Sequence, residues 1–93
     1  MGEEKRYKVY FIYDVHDHAL KFPLQAEVER NGDGSYIVTN IRLRSEKEGS
    51  LLPPVQLKKI NGVWIFADNG KESNLSKSIG MEIDEHQIKK HEQ

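Results

Sequence analysis

Val55-Gln56-Leu57-Lys58-Lys59-Ile60-Asn61-Gly62-Val63-Trp64-Ile65-Phe66-Ala67 is the stretch on which the fold turns. Asn-Gly between two apolar runs is the strongest short-range hairpin signal, because both residues tolerate the positive φ that a two-residue turn demands. With that turn, Ile60 opposes Val63, Lys59 opposes Trp64, Lys58 opposes Ile65 and Leu57 opposes Phe66. Opposed residues share a face. One side therefore carries Val55, Leu57, Trp64 and Phe66, and the other Ile60, Val63, Ile65 and Ala67. Both sides are apolar, so one covering layer does not satisfy this hairpin.

Upstream, Pro53-Pro54 keeps a central strand from starting before residue 55, and residues 45–54 read as a polar loop. Before that loop, Phe22, Leu24, Ala26 and Val28 alternate with Gln25, Glu27 and Glu29, the pattern of a half-buried strand. Asn31-Gly32-Asp33-Gly34 reverses the chain, and residues 35–44 return. A four-residue loop makes Arg30 oppose Ser35, Val28 oppose Ile37, Ala26 oppose Thr39, Leu24 oppose Ile41 and Phe22 oppose Leu43. Tyr36 and Val38 then fall on the polar side with Gln25, Glu27, Glu29 and Asn40.

Residues 6–15 alternate without a polar side: Tyr7, Val9, Phe11, Tyr13 and Val15 point one way, Tyr10 and Ile12 the other. At the far end, Asp68-Asn69-Gly70 stops the last strand, and Ser73 or Asn74 caps a helix over about residues 74–87. Leu75, Ile79 and Ile83 form its apolar stripe, Met81 lies off that stripe, and Gly80 weakens the helix by roughly 1 kcal/mol relative to alanine. These elements predict an α+β domain of about five antiparallel strands, two of the hairpins being clear, with one C-terminal helix packed on the sheet. The alternative is a small, partly open β-barrel with the helix covering its seam.

The chain has 93 residues, 37% hydrophobic and 31% charged, which fits one small globular domain over 1–93 with residues 1–5 and 88–93 fraying. Without cysteine it has neither disulfides nor a thiolate zinc site. Fourteen basic residues face fifteen acidic ones, spread evenly over both halves, so no basic face recommends nucleic acid as a partner. Weak single-stranded binding through Tyr10, Tyr36 and Trp64 is the exception to weigh, since exposed rings stack on bases. No run approaches the ~20 apolar residues of a membrane span. Met1 to Arg6 lacks the apolar stretch of a secretory signal, so a cytoplasmic location is expected, a trimmed leader being the alternative.

The densest set of ligand-type side chains is Asp14-Val15-His16-Asp17-His18. In an extended strand Asp14, His16 and His18 share a face, a carboxylate and two imidazoles suited to a divalent metal. No further ligand follows at a recognisable spacing, so a polar turn is the simpler reading and no cofactor is expected. No serine sits in a nucleophile elbow, and Glu27 and Glu29 project from a polar face without a desolvating pocket. The sequence therefore points away from an enzyme, a metal-dependent activity at Asp14, His16 and His18 being the alternative. It points to a binding or assembly module, for a protein partner or for self-association, with Tyr10, Ile12, Tyr36 and Trp64 as contacts. Enclosure of Trp64 wholly in a monomer's core would overturn that site assignment.

Overall fold

The Asn61-Gly62 turn forms with both residues at positive φ, 53° and 82°, and the pairs Ile60–Val63, Lys59–Trp64, Lys58–Ile65 and Leu57–Phe66 all meet as expected. The computed structural model describes residues 6–15 and 20–91, with the side chains of the last three left aside. Its elements are β1 (Arg6–Val15), β2 (Leu20–Arg30), β3 (Tyr36–Leu43), β4 (Val55–Ile60), β5 (Val63–Phe66) and α1 (Asn74–His91). The helix thus runs one turn past the expected residue 87. The strands form one antiparallel sheet in chain order, β1 to β5. The sheet curls into a half-barrel, and α1 packs on β1, β4 and β5, spanning the gap between the two outer strands.

The second hairpin corrects the expected register. Its loop has five residues, not four, because Ser35 is drawn into it. The Asp33 carboxylate accepts from Ser35 N (3.0 Å) and Oγ (2.7 Å), and Gln56 Nε2 donates to Ser35 Oγ (2.8 Å). Arg30 therefore pairs with Tyr36 and Val28 with Val38, which carries Tyr36 and Val38 to the core side. Continued unchanged, this register would turn Ile41 away from the core. A bulge in β3, with Asn40 at φ 53°, inserts one residue. Leu24 then meets Leu43, and Ile41 is fully buried beside Leu24, Ala26 and Val28.

Val9, Phe11, Leu57, Trp64, Leu75, Ile79 and Ile83 complete the core inside the curl. The start of α1 ties the sheet's two edges together. Ser73 caps it: Ser73 Oγ accepts from Ser76 N (3.1 Å) while Ser76 Oγ accepts from Ser73 N (2.9 Å), a reciprocal box with serine in place of the usual glutamate. The buried Ser76 hydroxyl also lies 3.0 Å from the Trp64 carbonyl on β5, and Asn74 Nδ2 donates to the Asp14 carbonyl on β1 (3.1 Å). On the convex side the 44–52 segment folds back: Leu51 N donates to Ile41 O, and Gln25 Nε2 donates to Glu46 O (2.9 Å). Leu52 packs on the core while Leu51 stays in solvent.

Candidate interaction surface

The ladder between β2 and β3 stops at Pro23. Arg44 N donates to Pro23 O (3.0 Å), and proline has no N–H to return on that side of the strand. Beyond it, residues 12–15 of β1 and 20–23 of β2 continue as a two-strand ribbon. Cross-strand pairing fixes what each side of the ribbon shows. Tyr13 faces Phe22 and Val15 faces Leu20 on the concave side; Ile12 faces Pro23 and Tyr10 faces Gln25 on the convex side.

Four large apolar side chains around this end are open to solvent: Tyr10 (50% exposed), Leu20 (48%), Ile12 (44%) and Phe22. Arg44 lies over the Tyr10 ring, 5.7 Å from its centroid. Tyr10 also borders a groove between β1 and the helix, lined by Lys8, Val9, Glu82, Glu85 and His86. On the inner wall beside that groove the Tyr7 and His86 rings stack, 3.7 Å apart and 6° from parallel. The next stretch of the convex face is charged. Arg6 reaches Glu29 (3.0 Å) and Glu27 (3.7 Å), and Arg42 reaches Glu27 from the other side (3.8 Å). These partly exposed pairs are worth little in stability, but they bound the apolar end and engage both glutamates. A second, smaller apolar spot is the exposed Ile60–Val63 pair at the β4–β5 tip.

The four expected contact residues do not come together. Tyr10 and Ile12 are neighbours on the convex side. Tyr36 and Trp64 face inward, edge to face with centroids 5.5 Å apart. Trp64 is only 6% exposed and has no surface to offer a partner; its indole N–H donates to Asp84 Oδ2 (3.1 Å), and Lys59 Nζ meets Asp84 Oδ1 (3.0 Å). The rings of Tyr10, Tyr36 and Trp64 consequently share no stacking platform. Leu20 and Phe22 are the surface residues that the sequence reading missed. Strand alternation pairs Phe22 with Leu43, a partner that the shifted register gives to Leu24, and Pro23 is the signal in the sequence that the sheet narrows there.

Of the candidate metal set, Asp14 is the penultimate residue of β1, while His16 and His18 lie outside the described residues. Among the described residues no group of three or more His, Cys, Asp or Glu side chains is placed to hold a metal ion, and no helix is long and apolar enough to cross a membrane. The chain matches no protein-family model, no curated protein and no solved structure.

Proposed function

We propose that this chain is a small non-enzymatic binding or assembly module that meets another protein chain, a copy of itself or a different one, through the ribbon end of β1 and β2. The observation supporting this is that exposed apolar side chains lie on both sides of that one end, Tyr10 and Ile12 with Pro23 on the convex side and Leu20 and Phe22 on the concave side. Apolar surface gains roughly 25 cal/mol per Å² on leaving water, and contiguous exposed patches of this kind mark contact surfaces. Tyr36 and Trp64 then act as supports that hold the curl closed.

The reading is tested by the solution mass of the chain and of Ile12→Asp and Phe22→Asp, measured by light scattering across a concentration series. Unchanged Trp64 emission certifies the fold of each variant. Concentration-dependent association lost in both variants supports self-assembly. A monomer whose captured proteins are lost in both variants supports a different partner. A monomer whose captured proteins are unchanged by either substitution removes this surface.

A further inference from the structure

Three Asn-Gly dipeptides punctuate the chain, Asn31-Gly32, Asn61-Gly62 and Asn69-Gly70, and the fold holds them differently. An asparagine before glycine can lose its side-chain amide. The glycine backbone nitrogen gives up its proton and bonds to Asn Cγ, the Cγ–Nδ2 bond breaks, and ammonia leaves. Water then opens the cyclic imide, at the side-chain carbonyl to give aspartate or at the backbone carbonyl to give isoaspartate. Glycine has no Cβ to obstruct the approach. The step needs a glycine nitrogen free to turn and a side-chain amide free to meet it.

At Asn69-Gly70 both groups are tied. Gly70 N donates to Phe66 O (2.8 Å), and Asn69 Oδ1 accepts from Lys71 N (2.9 Å). At Asn31-Gly32 the leaving amide is tied to Ser35 Oγ (3.2 Å), and the Asn31 backbone is held at both ends, its N–H to Ser35 O (2.8 Å) and its C=O by Gly34 N (3.3 Å). At Asn61-Gly62, among the described residues, neither the Asn61 side chain nor the Gly62 amide has such a tie. Both residues are exposed, and the space around Gly62 is open.

We infer that Asn61 is a modification site, the position at which this chain deamidates first through a succinimide. Ring closure has to swing the Asn61 backbone out of its left-handed conformation, and only the closing bonds of the turn itself resist. The product sets a carboxylate beside the exposed Ile60–Val63 pair. Isoaspartate also lengthens the backbone at the turn that fixes the β4–β5 register, so the change reaches the seat of Trp64.

The test is a time course of the full-length chain at mildly alkaline pH, with peptide mapping that separates aspartate from isoaspartate at each position. One net hydrogen bond holds back such a step by roughly two- to tenfold. Asn61 is therefore expected to convert at least several-fold faster than either Asn31 or Asn69, each held by more than one such bond. In denaturant the three rates should converge. Equal rates in the folded chain, a lead by Asn31 or Asn69, or the same ranking in denaturant would each overturn the assignment. So would an Asn61→Ser chain that retains the first mass gain.

Discussion

The indole of Trp64 lies so close against the backbone of Gly80 that a Cβ at position 80 would overlap its Cγ, Cδ1 and Cδ2 atoms. On helix propensity alone, Gly80→Ala should stabilise by about 1 kcal/mol. The contact reverses the sign, because forcing a methyl into a filled core costs about 1–3 kcal/mol. The expected outcome is a net loss of stability in urea unfolding, with red-shifted Trp64 emission. In a Trp64→Leu background the same substitution should be neutral or favourable. Equal effects in both backgrounds would show that the two residues are not coupled.

Asp84 joins the helix to the far edge of the sheet through two different bonds. Its Oδ2 takes the indole N–H of the buried Trp64, and its Oδ1 meets the half-exposed Lys59 ammonium. Removing the acceptor strands a mostly buried donor, so Asp84→Ala should cost about 1–2 kcal/mol. Asp84→Asn keeps an acceptor and should cost less than Asp84→Ala. Lys59→Met breaks a solvated ion pair and removes the half-exposed ammonium that lies over the Trp64 ring, 5.8 Å from its centroid, and should stay within about 1 kcal/mol of the parent. Urea midpoints of the three variants check the order, and a Lys59→Met loss as large as that of Asp84→Ala would assign the bond energy to charge.

How far the fold can be read from the sequence varies along the chain for physical reasons. The β4–β5 hairpin is readable to the residue, since a two-residue Asn-Gly turn leaves one register. The β2–β3 hairpin is not, because its loop length depends on Ser35 being held by Asp33 and by the distant Gln56. The bulge at Asn40 then offsets the altered register, so Leu24, Ala26, Val28 and Ile41 reach the core although most of their assigned partners were wrong. Gly80 is visible in sequence only as a cost to the helix, because its benefit belongs to Trp64, sixteen residues away. The candidate surface was half legible. Tyr10 and Ile12 follow from strand alternation, whereas the exposure of Leu20 and Phe22 depends on where β3 ends.

Among the described residues Asn40 is one of two non-glycine residues at positive φ, and it sits within β3 rather than at a hairpin tip. Asparagine tolerates the left-handed region, whereas a β-branched residue does not. Asn40→Gly should leave stability unchanged or slightly raised, and Asn40→Val should cost about 1–3 kcal/mol through strain at the bulge. Thermal unfolding of the pair checks this. A fully stable Asn40→Val protein would mean that β3 can pair without the bulge, with Ile41 turned from the core.

Tyr7 stacks on His86 while its hydroxyl is buried with no hydrogen-bond partner among the described residues. Burial, with a smaller contribution from Tyr36 and against the opposing pull of Arg30, pushes the Tyr7 phenol up to about 12 from its ordinary value of 10.0. The fold thus favours the neutral phenol. That contribution is fully present below about pH 10. Above it, the unfolded chain releases a proton that the folded chain keeps, so stability falls with rising pH until Tyr7 itself ionises near 12. Tyr7→Phe retains the ring and its stack but removes both the stranded hydroxyl and this titration. It should match or exceed the parent by up to about 1 kcal/mol at neutral pH, and the advantage should widen between about pH 10 and pH 12. Urea midpoints of the two proteins across that range decide the matter: a constant difference would place the alkaline loss on other groups and leave Tyr7 a purely packing residue.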